Sequence, residues 1–380
     1  MDSPCELVWQ KLCSTNKLDR DQGMLYTISL YSKSLCKTSL VNISKTLLLL
    51  FSPGSCNLKS LLSNDGDSIT PTLISILNNT IDVESINWET KLAILELAGT
   101  LSVHNQDESL NFVAKKAIHW LSDEEVRVRI ASGEYLGILC TAFGPSIYEN
   151  YKTVVIDLIR ENIDRAFEKS ASNNTSGITD DVADNNSGRM SPQEQIFHES
   201  AGWRNLETSV KCIQSMINGC TKGSFQKFVD DELLDLIFTT LSHENRFVRE
   251  TGYQTCASII QACSSHDEQQ QPDEPTNQDG NINPIRKFAL KFADQLAIGL
   301  ADNWSQVRMA SCTATRQFLM SLELFESIDC AQQNQPHTTT KIASVLMPRL
   351  CLNRYYLAEG VRIYSQDVSC CLFKDIIVLK

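Results

Sequence analysis

The chain has 380 residues, 42% hydrophobic and 21% charged, enough to bury the cores of two or three globular domains or of one elongated repeat array. Its formal net charge is −12, from 46 acidic and 34 basic residues, which argues against the cationic surfaces that nucleic acid or an anionic membrane would need. The 14 cysteines are scattered at apolar helical positions such as Cys212 and Cys256, with no Cys-x-x-Cys, so they read as buried free thiols in a reducing compartment. Met1 to Cys13 lacks the basic and apolar regions of a signal peptide, and the apolar run Leu47 to Phe51 is far too short to span a bilayer. These features predict a cytoplasmic protein, with the nucleus as the other compartment open to it, and no membrane insertion.

In chain order, Leu40, Ile43, Leu47, Leu50 and Phe51 recur at helical spacing, and Ser52-Pro53-Gly54 stops that helix. The next start is Thr70-Pro71, where Thr70 can cap and Pro71 suits the first helical position. Leu73, Ile74 and Leu77 make its face and Asn78-Asn79 its end. A second helix is expected from Trp88 to Leu101, with Leu92, Leu95 and Ala98 on one side. Residues 1–69 thus read as an atypical or capping helical segment, and 70–380 as the main body.

A nine-residue unit then occurs three times, as Leu121 to Arg129, Leu241 to Arg249 and Leu300 to Arg308. Each copy opens on Leu, passes through a polar turn and closes on Val-Arg. Before the turn lies an apolar stripe: Leu110, Val113, Ala114, Ala117 and Ile118; Leu233, Leu234, Ile237 and Phe238; or Phe292, Ala293 and Leu296. After it lies another: Val128, Ala131, Tyr135, Leu136 and Leu139; Val248, Cys256 and Ile259; or Val307, Ala310, Ala314 and Phe318. Four positions beyond each Val the residue is small (Ser132, Gly252, Ser311), as close helix contacts require. Gly144-Pro145 breaks the chain after the first copy.

The spacing supports a repeat of about 40 residues. Arg129 and Arg249 are 120 residues apart, and Arg249 and Arg308 are 59 apart, with the excess in an acidic, Gln-rich stretch. Weaker copies fall at Lys91-Leu92-Ala93, at the helix of Trp203, Leu206, Val210, Ile213 and Ile217, and at Val361-Arg362. Residues 170–191, rich in Asn, Ser, Asp and Gly, and residues 264–283 are expected to be disordered insertions that loop out without disturbing the stack. A further polar insertion runs from Ser327 to Thr340. Ser191-Pro192-Gln193-Glu194 restarts a helix as a capping box. The end of the chain, Cys370 to Leu379, is apolar where a polar cap would seal a stack, and this reads as an incomplete last repeat, with Asp375 to Lys380 leaning toward strand propensity.

This pattern resembles the HEAT repeat, an antiparallel helix pair whose second helix opens near an Asp and a Val-Arg. The resemblance spans residues 70 to 365 and implies an all-α fold, an α-solenoid of about six helical hairpins. It also implies a hydrogen-bonded ladder between turn acids and arginines of neighbouring repeats. Asp123, Arg129, Asp302 and Arg308 match that pattern, whereas the middle copy, with Arg249, has His243 where the acid should stand.

No catalytic, cofactor or metal motif stands out. His104, His119, His198, His243, His266 and His337 lack ligand spacing, and His119 reads as a packed or partly exposed helix residue. No phosphate-cradling glycine loop and no nucleophile elbow is present, and acid pairs such as Asp230-Asp231 read as solvated surface. Arg349, Arg354, Tyr355, Tyr356, Arg362 and Tyr364 cluster in the last hairpin, side-chain types that anchor interfaces, and are the candidate partner-binding residues, against the plainer reading that the tyrosines pack that hairpin. Trp304 opens a helix as a staple. Ser191 is a candidate proline-directed phosphosite. The function expected is a non-catalytic scaffold or adaptor for other proteins, with no cofactor and no nucleic acid. An assembly or folding factor that binds clients transiently is the alternative, and an enzyme without a recognisable motif stands behind both.

Overall fold

The structure, a computed structural model, describes residues 58–82, 86–105, 110–175, 192–264, 283–329 and 336–378. The apolar run at 40–51, Ser191 and nearly all of 264–283 lie outside these residues. The chain divides into two compact units, Met1–Ile147 and Tyr148–Lys380. Thirteen α-helices and no strand occur among the described residues.

In the first unit, α1 (Leu58–Ile81) and α2 (Trp88–Asn105) form one hairpin, and α3 (Asn111–Trp120) and α4 (Val126–Phe143) the next. The closest packing joins α2 to α4, second helix against second helix. In the second unit, α5 (Ser146–Thr175, nearly all of it here) precedes α6 (Pro192–Gly219). The hairpin of α7 (Asp231–Leu241) and α8 (Arg246–Cys263) follows, then the single turn α9 (Pro284–Lys287). Next come α10 (Ala289–Gly299) with α11 (Ser305–Asp329), and α12 (Pro336–Asn353) with α13 (Glu359–Val378). The second helices α6, α8, α11 and α13 pack in sequence, and the first helices α7, α10 and α12 do likewise. Among the described residues the helices make six hairpins, in an all-α solenoid.

The alternating stripes read from the sequence become the core. Val113, Ala117, Val128, Leu136, Leu234, Ile237, Val248, Ile259, Phe292, Val307 and Phe318 are all fully buried. Phe292 joins three helices, its ring 5.4 Å from Phe238 and 5.9 Å from Phe318. Each large apolar side chain so buried is worth about 1.5–3 kcal/mol, and stacking brings those residues together without long-range pairing of strands. Side chains cap the helix starts: Asp230 accepts from the Leu233 N–H at 2.8 Å and Asn245 from the Phe247 N–H at 2.9 Å.

Three readings need correction. Thr70-Pro71 does not begin a helix, because α1 already starts at Leu58 and carries Pro71 in its interior, and it runs past Asn78-Asn79 to Ile81. An interior proline costs about 3 kcal/mol. Against it stand four buried aliphatics, Leu73, Ile76, Leu77 and Ile81, whose combined burial outweighs that cost. Asp375 to Val378, read as leaning toward a strand, is helical, the last turn of α13. His119 is exposed on α3, not packed among its apolar neighbours.

Helix also continues into the polar stretches. α5 runs to Thr175, beyond the boundary at 170, and α11 and α12 extend to Asp329 and from Pro336, well inside the polar 327–340 segment. At the 264–283 stretch, the Asn283 side-chain N–H₂ donates to the Cys263 carbonyl at 2.9 Å, and Gln226 donates to the same carbonyl at 2.9 Å. Cys263 and Asn283, described residues at either end of that stretch, therefore lie side by side.

The small residue after the turn is enforced by contact. A Cβ on Gly252 would lie 2.5 Å from the Thr240 hydroxyl and 2.7 Å from a Leu241 methyl, so the α8 backbone packs directly on side chains of α7 there. Ser132 and Ser311 fill the same position fully buried, and the Ser311 hydroxyl donates to the Leu296 carbonyl at 2.9 Å. Gly252→Ala should destabilise the protein by about 1–3 kcal/mol through overpacking. Gly202→Ala, in helix α6 where nothing lies within 4 Å, should be neutral or stabilising by up to about 1 kcal/mol. Urea denaturation of the two variants checks the contrast, and equal effects would contradict it.

Candidate functional site

The recurring unit folds into one turn with one hydrogen-bond scheme. At its third residue the side chain accepts from the backbone N–H two residues on. Asp123 accepts from Glu125 at 3.0 Å, Asp302 from Trp304 at 2.9 Å, and His243, through Nδ1, from Asn245 at 2.9 Å. The imidazole thus fills the acid's local role. At its ninth residue the arginine turns back over the same loop. Arg129 donates to the carbonyls of Asp123 and Glu124 at 2.7 and 3.1 Å, and Arg249 to those of His243 and Glu244 at 2.8 and 2.7 Å. Arg308 donates to the carbonyls of Asp302, Leu300 and Ala301. Arg362 repeats the clamp on Tyr356 and Leu357 at 3.0 and 2.8 Å.

The carboxylates reach across to the preceding repeat. Within a copy, Arg129 donates to the backbone carbonyl of Asp123, and Arg308 to that of Asp302. The Asp123 carboxylate instead takes the Lys91 ammonium at 2.5 Å, and Asp302 takes Arg249 in a fork, Nε at 2.7 Å and a terminal nitrogen at 3.1 Å. Lys91 stands three residues into α2, as Arg129 does in α4 and Arg249 in α8. The rung therefore runs from the second helix of one repeat to the turn of the next. Arg249 supplies it even though its own turn carries histidine. In the last hairpin Tyr356 replaces the acid. Arg308 then donates to the Asn353 amide oxygen at 2.5 Å and lies over the Tyr356 ring, 4.2 Å from its centroid. Sequence spacing missed Asn353, which lies outside the repeated unit.

Electrostatics follow this geometry. Burial works against the Asp123 carboxylate, but the Lys91 ammonium, the Glu125 N–H and the Arg129 charge outweigh it and hold its pKa below the ordinary value. Burial pushes the His243 imidazole below its ordinary value of 6.5, Arg249 adding to the effect and Glu244 opposing it. Burial pushes the thiols of Cys212, Cys256 and Cys263 up to about 12, so none is a ready nucleophile. Among the described residues no cluster of His, Cys, Asp or Glu could hold a metal ion, and no helix is long and apolar enough to cross a membrane.

The candidate residues of the last hairpin separate. Tyr356 and Arg362 belong to the turn, the Tyr356 hydroxyl reaching the Asn303 carbonyl at 3.4 Å. Arg349, Arg354 and Tyr355 are exposed, and with Leu352 and Leu357 they form a solvent-facing apolar and basic edge, Tyr355 being 86% and Leu357 93% exposed. Tyr364 stands apart on α13, where it lines a groove of ≈ 320 Å³ on the second-helix face, between α6, α8, α11 and α13. That groove is walled largely by amides, among them Gln214, Gln254, Gln261, Gln306 and Gln317. Sequence reasoning missed it because polar residues at helical spacing look like any solvated face.

Two changes test the turn. Arg249→Lys keeps the charge but loses the fork and one carbonyl bond, and should cost about 2 kcal/mol in urea denaturation, since a lysine cannot bridge both repeats. For His243 the depressed pKa sets the sign. Its contribution to stability is full above the unfolded value near 6.5 and declines as pH falls through the lower folded value. The wild type should therefore lose more stability than His243→Asn between about pH 7 and about pH 5. Parallel pH profiles would contradict that assignment.

No protein-family model and no curated protein matches the chain. Solved structures do. Kap121p carrying three substitutions aligns with a TM-score of 0.56 over 99% of this chain and 34% of its own length, at 13% identity. Unmutated Kap121p gives 0.55 with the same coverage and identity. The chain spans about a third of the length of the karyopherin chains it matches. At this identity the likeness is one of fold. Taken with the hairpins and their repeated turn, it makes the fold an α-solenoid of HEAT-like helical hairpins.

Proposed function

We propose that this protein is a non-catalytic scaffold or adaptor, working in the cytoplasm with access to the nucleus, that holds partner proteins on the second-helix face of its Tyr148–Lys380 unit. The observation that carries the reading is the groove between α6, α8, α11 and α13, whose polar amides point outward while the stack behind it stays closed. Solenoids stack their second helices into long surfaces of this kind, so a partner can be contacted by several repeats at once. Kap121p, similar in fold, has been solved bound to Nup53p and bound to the SUMO protease Ulp1p, each with a TM-score of 0.50 to this chain, and those are protein partners. The exposed edge of Arg349, Arg354, Tyr355, Leu352 and Leu357 offers a second area rich in the side chains that anchor interfaces. Dominance of acidic over basic residues favours protein over nucleic acid as the partner.

Affinity purification of the full chain tests the reading. Thr313→Arg with Gln317→Arg places two new charges in the groove, whereas Ile298→Lys alters the exposed side of the first helix α10. The first pair should reduce recovery of a stoichiometric partner at least tenfold, equivalent to about 1.4 kcal/mol, with the melting temperature unchanged and Ile298→Lys binding normally. Equal recovery from all three would contradict the proposed face. Many substoichiometric clients in place of one stable partner would favour the assembly-factor alternative.

A further inference from the structure

The groove's lining specifies what kind of segment fits it. Gln214 and Asn218 from α6, Gln254 and Gln261 from α8, and Gln306 and Gln317 from α11 present six primary amides toward one trough. Their spacing along each helix keeps them on one face: four residues in α6, seven in α8 and eleven in α11. Gln214 bridges to the Ser258 hydroxyl at 3.5 Å, and the Ser305 hydroxyl approaches the Gln306 amide at 3.4 Å. The side-chain amides of Asn218, Gln254, Gln261 and Gln317 have no hydrogen-bond partner among the described residues. A primary amide both donates and accepts, as a peptide unit does, so a row of them matches a main chain whose own N–H and C=O groups are unspent. An α-helix cannot use such a row, because its backbone bonds are closed internally. The walls between the amides are small or flexible (Ala257, Ala310, Met309), which lets a backbone approach.

Charge fixes the direction. Glu250 is the one charged residue lining the groove, and burial, then the neighbouring Glu207, holds its pKa above the ordinary value against the opposing charges of Lys211 and Arg246. An acidic segment would meet that carboxylate along the groove. At the end nearest the turns, one helical turn before Glu250, stands Arg246. Its guanidinium lies 4.0 Å from the Trp304 ring centroid and 4.7 Å from that of Phe247, and Phe247 stacks on Trp203 at 5.2 Å. Stacking fixes the plane of the guanidinium without consuming its N–H donors, and it makes no hydrogen bond among the described residues. Such a group is prepared for a carboxylate arriving edge-on.

We infer that the groove binds an extended peptide segment of a partner protein, read through its main chain by the amides of α6, α8 and α11, with one acidic side chain or a terminal carboxylate seated at Arg246. The inference rests on the second-helix face being the partner-binding face, and it adds the conformation and chemistry of what is bound.

A library of short random peptides displayed and selected on the full chain tests it. The strongest peptide is resynthesised with a fluorescent label, once unmodified and once N-methylated at alternate backbone nitrogens. Selected sequences should carry an acid near one end and uncharged residues beyond it. N-methylation should weaken binding at least tenfold, as should Gln254→Leu with Gln261→Leu in the protein. Replacing the peptide's acid by its amide should weaken binding to wild type and make no difference to Arg246→Ala. A selection without enrichment, or peptides indifferent to both N-methylation and the two leucines, would overturn the inference. Enrichment of helical peptides indifferent to N-methylation but lost with Thr313→Arg and Gln317→Arg would also overturn it, while leaving the scaffold reading standing.

Discussion

An arginine three residues into a second helix has two jobs in this fold, and the stack depends on both. Its guanidinium closes the turn behind it by bonding two or more of that turn's carbonyls, and in Arg249 and Arg308 it also reaches the turn of the following repeat. Arg249 is the fullest instance, with two carbonyls of its own turn and both oxygens of Asp302. Buried ion pairs are often poor stabilisers because desolvation offsets attraction. Here the geometry answers that objection, since the fork and the carbonyl bonds leave few donors unmatched. Lys91 makes a simpler rung to Asp123, a single point contact.

The rung is tied to packing through the small residue that follows it. Turn closure sets how near the two helices of a hairpin lie, and at Gly252 that distance leaves no room for a methyl group. Tyr253, next in sequence, projects into the following hairpin, where its hydroxyl donates to the Gln295 carbonyl at 3.0 Å and its ring occupies the space a Cβ on Gly299 would need. The rung, the closed turn and the tyrosine therefore lock one hairpin to the next within eight residues of helix, and the apolar stripes fill what remains. The second-helix face is thus held by groups that lie outside its groove. The outward amides of α8 and α11 are consequently free to serve recognition.

Much of this was legible in the sequence, for identifiable reasons. Leu-to-Val spacing and the small residue four positions on recur because each copy solves the same local problem, so comparison within one chain exposed the hairpins and their cores. Helix boundaries near proline were not legible: Pro71 obeys local preference in sequence, and only the burial of Leu73, Ile76, Leu77 and Ile81 explains why the helix runs through it. Which acid takes which arginine was not legible from spacing alone, because the Asp302 carboxylate faces the preceding repeat and takes Arg249 from it. His243 looked like a defect in the pattern, yet its Nδ1 accepts the same turn bond as Asp123 and Asp302. The amide groove left the weakest trace, since glutamines from three helices become one feature only when the helices are side by side. Of the last hairpin's candidates, sequence could not separate Tyr356 and Arg362, spent in the turn, from Arg354 and Tyr355, which face solvent.

The scaffold reading follows from that order of events: the turns fix the hairpins, the hairpins fix the face, and the face carries chemistry suited to another polypeptide. A double-mutant cycle on Arg249→Ala and Asp302→Ala, followed by urea denaturation, tests the foundation most directly. If the rung couples neighbouring repeats, the two changes together will cost less than their sum by about 1–3 kcal/mol. If they add to within about 0.5 kcal/mol, the contact is incidental and the account of how this stack is held together fails.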